Sequence, residues 1–469
     1  MTRINTNITS LMAQRSLQKN NLDLSNRMQR LSTGLKVNAG KDGPAALIAS
    51  ENMRSEMAGI RQAIDNTTRA NNVINTAEGA LAEVANLLIE VRSLTTEAAN
   101  TGGLSPAEIE ANQLQVDAIL SSVNRISNTT QFNGRQLLNG QLDYQTSGVA
   151  LSQVANAKIH SANLPDNGTV AVNVEITASA ETARVTYSAA TTSSVNTTLE
   201  ISGKQGVEQI SFGSSTAISA VAFAVNQLTA ATGVSATVSG GYLHMDSVGY
   251  GSDEFVSVKA ISGAFTMANT SDVGVDVQAN VNGNVAEGSG LTVKANTGGL
   301  DVELTLDKDF AQQTATTAEF AVTGGGTKFQ IGSKVQRQGQ INVGIGSVAT
   351  SRLGNGVVGF LNELGSGGEN SLVSGNTTQA QRILDAAISD IATLRGRLGA
   401  LQKSVMETNV TSLQVALENV TAAESTIRDA DFAEETAAMT RAQILSQANT
   451  SVLAQANNSP QQILSLLQG

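Results

Sequence analysis

Proton transfer near neutral pH falls most often to histidine, and this sequence has two, His160 and His244, far apart and set among serines and threonines. No H-E-x-x-H occurs, which excludes a helical zinc-protease site. No serine stands in G-x-S-x-G, so neither histidine has a recognisable nucleophile to serve. Gly324, Gly325, Gly326 and Lys328 in "TGGGTK" lack the spacing of a phosphate loop and do not open a helix, so they predict a β-turn. The absence of cysteine removes thiolate nucleophiles, thiolate metal ligands and any disulfide framework. The carboxylate pair Asp429 and Asp431 stands at the head of a helical pattern, where capping explains it. No catalytic residue, metal ligand set or cofactor is expected.

What the sequence does space regularly is apolar residues. Leu384, Ala387, Ile391, Leu394, Leu398, Leu401 and Val405 step by three and four, the seam of a helix that packs on another. Ile74, Ala77, Leu81, Val84, Leu88 and Val91 repeat that rhythm near the opposite end and are its expected partner. Outside these lie weaker seams. The head has Ile4, Ile8 and Leu11, then Leu24, Met28, Leu31 and Leu35; the tail has Phe432, Met439, Leu445, Val452 and Leu453, then Ile463, Leu466 and Leu467 after an expected break at 457–460. Interrupted seams make marginal helices, so the head is expected to be disordered in a free subunit and to order on assembly. Arg3, Arg15, Lys19, Arg27, Arg30, Lys36 and Lys41 face only Asp23 in the head, while Asp431, Glu434 and Glu435 face only Arg441 in the last forty residues. Such ends attract each other, or the opposite ends of a neighbouring copy.

The elements follow from the same periodicities. Gly40 and Gly43 are expected to end the first helix, with Pro44 opening a long second one to about Ala99, and a third running from Ser105 to about Asn128. Asn133-Gly134 and Asn139-Gly140 are turn signals. From about 165 to 345 apolar residues alternate with Ser, Thr and Gly, predicting strands. "STAISAVAFAVNQLTAAT" interrupts them with helical spacing, giving a module at about 208–258, and "KFQIGSKVQRQGQINVGIGSV" closes the region as a hairpin. After Gly368 the pattern is helical. The fold class is therefore α+β: a discontinuous coiled-coil rod of paired amino- and carboxyl-terminal segments with a β-rich central insert. Only 3% of residues are aromatic, which suits closely packed helices better than a large-ring core. A net charge of −11 argues against nucleic acid as a partner. No apolar run reaches the ~18 residues of a membrane span, and the first twenty residues lack the apolar core of a cleavable signal.

The ends carry longer motifs. "RINTNITSLMAQRSLQKNN", "RLSTGLKVNAGKDGPAAL", "TQFNG", "ESTIRDADFAEETAAMTRAQILSQANTSVLAQAN" and "PQQILSLL" resemble the head and tail of bacterial flagellins, and "VSGGYLHMDS" resembles a repeat in the variable region of some of them. The resemblance implies a structural, non-enzymatic subunit of the extracellular flagellar filament. It implies an inner coiled-coil core at 1–44 and 430–469, a helical rod with a hairpin at 45–165 and 328–429, and a surface domain at 166–327. Its implied partners are copies of itself, the type III export apparatus, an export chaperone on the carboxyl-terminal helices, and hook-associated and cap proteins. A hook–filament junction protein and a filament-displayed adhesin are the alternatives. Some flagellins are sensed by an innate Toll-like receptor. Arg92 and Leu94 match the recognised pattern, but Glu90 and Gln115 stand where recognised members carry a basic and an acidic residue, so weak or absent activation is expected.

Overall fold

A computed structural model gives the fold; it describes residues 6–165, 168–189, 191–192, 195–267 and 269–467, with the backbone alone for 460–467. Helix α1 (Ile8–Thr33) starts where Asn7 Oδ1 accepts the Ser10 N–H at 3.0 Å and stops at Gly34, whose φ of +72° lets its N–H reach Arg30 O at 2.8 Å. The stop thus precedes the expected one. Gly40–Asp42 form only a 3-10 turn, and Leu35 lies past the helix, bridged to Asp429. Helix α2 (Pro44–Ala98) takes Pro44 at its first position, where a missing N–H costs nothing. Helix α3 (Pro106–Thr129) opens with a reciprocal cap: Glu108 accepts the Ser105 N–H at 2.7 Å, and Ser105 Oγ accepts that of Glu108. Strands β1 (Gln131–Phe132) and β2 (Arg135–Gln136) form a hairpin about Asn133 and Gly134, both at positive φ as a tight hairpin turn demands.

The strand region begins earlier than its alternation suggested, with β3 (Tyr144–Ser147) and β4 (Val154–Ala162), then β5 (Val170–Ala178). After an inserted module come β13 (Gln278–Val281), β14 (Asn284–Ser289), β15 (Thr292–Thr297), β16 (Leu300–Leu306) and β17 (Thr317–Gly325). These eight make one antiparallel sheet, ordered β3-β17-β5-β13-β14-β15-β16-β4. In β5 and β16 every second side chain is buried, and the sheet's core, including Val174, Val281, Val293 and Leu304, comes mostly from its own strands, with Ala180, Val277, Phe310 and Ala311 added from the connections. A sheet whose buried face is covered by itself must curl. Along the chain its first and last strands, β3 and β17, pair directly with each other, and beside that pairing Gly326 N–H donates to Asp143 O at 3.2 Å.

The inserted module is larger than residues 208–258. It comprises β6 (Arg184–Tyr187), β7 (Thr197–Gly203), β8 (Gly206–Phe212), α4 (Ile218–Gln227), the turn α5 (Thr229–Thr232), β9 (Val234–Ser239), β10 (Tyr242–Ser247), β11 (Phe255–Ser262) and β12 (Ser271–Val273). Two sheets, β6-β10-β9 and β12-β11-β7-β8, enclose the apolar face of α4, and Tyr187 stacks on Phe265 with ring centres 3.7 Å apart. Strands β6, β7 and β12 lie inside the region whose alternation predicts strands; what alternation does not give is their pairing, β6 with β10 and both β7 and β12 with β11.

One helical turn, α6 (Lys308–Ala311), precedes β17; beyond it the expected hairpin is present as β18 (Thr327–Gln330) and β19 (Gln340–Val343). Helix resumes with α7 (Thr377–Leu401), a π-helical turn at Gln402–Glu407, α8 (Thr408–Arg428) and α9 (Phe432–Leu467). Asp431 caps α9, accepting the N–H groups of Ala433 and Glu434 at 2.8 and 3.2 Å. Asp429 instead closes α8, so the expected capping role falls to Asp431. No break occurs at 457–460: the backbone stays helical, a proline forfeiting a single hydrogen bond of many.

The chain divides into two compact units. One comprises Met1–Thr68, Ile331–Gly339 and Met406–Gly469; the other comprises Arg69–Gln330 and Gln340–Val405.

Candidate assembly surface

In the first unit, α1 and α9 run antiparallel. Asn7 Nδ2 donates to Ala456 O and Ser10 Oγ to Asn457 Oδ1, both at 2.7 Å. Further along α1, Ser446 Oγ donates to Asn21 Oδ1 at 2.8 Å, and Arg27 and Arg30 clasp Glu435 at 2.8 and 3.0 Å. From the start of α1 to its end the partners thus run back along α9 from Ala456 and Asn457 to Glu435. Burial works against ionisation of Glu435, but hydrogen bonds from Arg27 and Arg30 and their charge outweigh it and hold its pKa below the usual range. The basic head and acidic tail thus attract within one chain. The head, expected to order only on assembly, is a paired helix in the single chain, because α9 supplies its cross-helix partners.

The pairing continues through α2 and α8. Ser50 Oγ donates to Glu424 at 3.0 Å, and Thr421 Oγ1 lies 3.2 Å from Met57 Sδ. The hairpin tip belongs to this unit: Asn409 Nδ2 donates to Ile331 O at 2.9 Å, and a Cβ on Gly59 would stand 2.9 Å from Ser333 O. Only glycine admits that approach.

Much apolar surface is left uncovered. Helix α1 buries only Ser10 and Ala13, and α8 buries no residue. Of the predicted contact residues, Ile8, Leu11, Met28, Phe432, Leu445 and Val452 are exposed, Phe432 by 60% and Val452 by 55%. Leu24, Leu31, Leu35, Met439 and Leu453 are half-buried. Ile4 and the side chains of Ile463, Leu466 and Leu467 lie outside the described residues. Met12, Leu22 and Ile444, exposed by 64, 65 and 60%, were missed. Met12 and Ile444 each adjoin a seam residue, a pairing that signals a face wider than one seam.

In the second unit, Ile74, Leu81, Val84, Leu88, Val91, Leu384, Ile391 and Leu398 are all buried. Arg395 pairs with Glu78 at 2.8 Å and Arg92 with Asp385 at 3.5 Å, which sets this part of α2 antiparallel to α7. Leu394 and Leu401 are only half-buried, and Val405 is exposed because the π-helical turn shifts the periodicity there. Gln113 was not foreseen: from α3 its side chain donates to Leu364 O at 2.9 Å and accepts the Leu372 N–H at 2.7 Å, pinning the segment before α7. Glu90, Arg92 and Gln115 are exposed, whereas Leu94 follows Val91 by three positions and turns into the seam at 9% exposure. Leu94 is therefore not an accessible contact of the subunit.

Among the described residues no cluster of three His, Cys, Asp or Glu is placed to hold a metal, and no helix is long and apolar enough to cross a membrane. Exposed apolar helices antiparallel across the chain's ends define a protein built to pack on others.

Comparison with known proteins agrees. Residues 4–143 match the bacterial flagellin N-terminal helical region, and residues 381–467 the bacterial flagellin C-terminal helical region. The first match stops one residue before β3. The chain is 31% identical to a B-type flagellin of Pseudomonas aeruginosa and 28% identical to a flagellin of Salmonella typhimurium, each alignment covering 99% of both chains. A solved hook-associated protein-3 of Legionella pneumophila aligns at 14% identity over 80% of this chain and 98% of its own, with a TM-score of 0.31, too low to carry an argument. The chain belongs to the bacterial flagellins and is a structural subunit of the flagellar filament. The junction-protein and adhesin readings are not favoured.

Proposed function

We propose that copies of this chain join through the apolar faces that α1 and α9 leave uncovered, and that the joint propagates as an open-ended helix outside the cell. The exposure of Ile8, Leu11, Met12, Leu22, Ile444 and Val452 carries this reading, since so many large apolar side chains exposed on two paired helices mark an interaction surface. Fully burying one such side chain contributes about 1.5–3 kcal/mol. Heterologous contacts that do not close into a ring add subunits without limit. In this reading residues 1–44 and 430–469 form the filament core, the helices of 45–165 and 328–429 surround it, and the central β region faces the medium. The double variant Ile444→Gln, Val452→Gln is expected to keep the subunit's helix content and melting point and to lose filaments by electron microscopy. Polymerisation at the wild-type critical concentration would refute the proposal.

The same apolar face needs cover before assembly, which supports an export chaperone on the carboxyl-terminal helices, and the cysteine-free composition supports passage through the type III apparatus unfolded. Hook-associated and cap proteins are the expected neighbours at the filament ends. The acidic Glu90, and Leu94 turned inward, support weak activation of the innate receptor, and a reporter-cell assay giving potent signalling would overturn that reading.

A further inference from the structure

Strands β4 and β16 and helix α7 meet at one histidine. His160 Nδ1 lies 2.6 Å from Arg397 Nη1, its Nε2 lies 3.7 Å from Glu303 Oε2, and Arg397 Nη2 donates to His160 O at 2.8 Å. A guanidinium has donors only. Nδ1 must therefore present its lone pair, and the ring proton sits on Nε2, toward Glu303. In this state the imidazole is neutral, an acceptor for α7 with its N–H turned toward Glu303 of β16.

The surrounding charges are arranged around that state. On β15, Lys294 lies 3.6 Å from Glu303, and on β4 itself Lys158 binds Asp390 of α7 at 2.6 Å. The His160 ring beside it, with the charges of Lys294 and Lys158, holds the Glu303 carboxyl down at about 2. Burial pushes the Arg397 guanidinium down, opposed by Asp301 and Glu303 of β16 and by Asp143 and Tyr144 at the start of β3. Asp143, pushed up by burial, faces Arg352, His160 and Arg397. From β19 the lining residues are Ile341, Asn342 and Val343, none of them titratable.

We infer that His160 is an acid-operated clasp: a proton taken up on Nδ1 removes the one acceptor its ring offers Arg397 and loosens α7 from β4. Two cations then face each other across 2.6 Å, while the new imidazolium stays with Glu303. Lys158–Asp390 remains, so the seam opens locally and the sheet stays folded.

Hydrogen exchange on the full chain, corrected for the intrinsic pH dependence of exchange, tests this. Between pH 8 and pH 5 the amides of β4 and of the second half of α7 should exchange about tenfold faster, the loss of one charge-assisted hydrogen bond. His160→Gln offers Arg397 an amide oxygen at every pH and cannot take up the proton, so its exchange should stay flat. Nitrogen-15 NMR of the wild type at pH 8 should find Nδ1 unprotonated, a readout that survives if the variant misfolds. A flat wild-type profile, the same rise in His160→Gln, or a proton on Nδ1 at pH 8 would each overturn the clasp.

Discussion

Ser10 Oγ donates to Asn457 Oδ1 at 2.7 Å although 447 residues separate the two in sequence. A contact of that span needs the whole central region to leave the helices and return to them, and the Gly326–Asp143 hydrogen bond marks where it does so. The antiparallel register then makes several outcomes calculable.

Leu88→Ala removes a fully buried seam side chain and should cost about 3 kcal/mol in urea unfolding. Ile89→Ala, one position on and 57% exposed, should stay within about 0.5 kcal/mol. Equal costs would mean that the seam does not hold α2.

Glu435→Gln should destabilise the subunit by about 2 kcal/mol at pH 7, the scale for charge-assisted hydrogen bonds at a largely buried carboxylate. Because the folded-state pKa is depressed, that stability is present above the unfolded value and lost as pH falls through the folded one. Wild type and variant should therefore converge in acid, which thermal melts across a pH series would detect.

Glu303 allows a second pH test with a defined window. Its pKa falls from 4.5 to about 2 on folding, chiefly through the His160 ring beside it. Its contribution is complete above about 4.5 and disappears as pH drops through about 2. Melting-point differences between wild type and Glu303→Gln should shrink over that interval and no higher.

Gly34→Ala should cost about 1 kcal/mol. Nothing lies within 4 Å of the added methyl, so the penalty is that of holding an alanine at φ +72°. A larger loss in a denaturant titration would mean that the turn between α1 and α2 is more constrained than its contacts indicate.

Removing residues 144–325 and joining Asp143 to Gly326 should leave helix content and filament formation intact, since those two residues already share a hydrogen bond. Deleting 440–469 should abolish filaments, as it takes away most of α9. Electron microscopy of both deletions checks this, and filaments that need the central region would contradict the assignment.

Legibility varied with how local the cause was. Three-and-four spacing located α2, α3 and α7, because a helix face is written in residues a turn apart, and Asn133-Gly134 located its hairpin because the required φ belongs to those residues alone. Charge counts anticipated that the head and tail attract, though not that Arg27 and Arg30 would share the single carboxylate of Glu435. The end of α1 was misplaced because three glycines competed and only the backbone's choice of φ singled out Gly34.

Composition and periodicity alone determined that this chain is a helix, strand, helix arrangement, its ends complementary in charge and seam. The tertiary structure alone decided that β3 and β4 join their sheet through partners a hundred or more residues away, that Gln113 pins Leu364 and Leu372, and that His160 meets Arg397. Such contacts depend on how distant segments are brought together, and spacing within a segment carries no record of it.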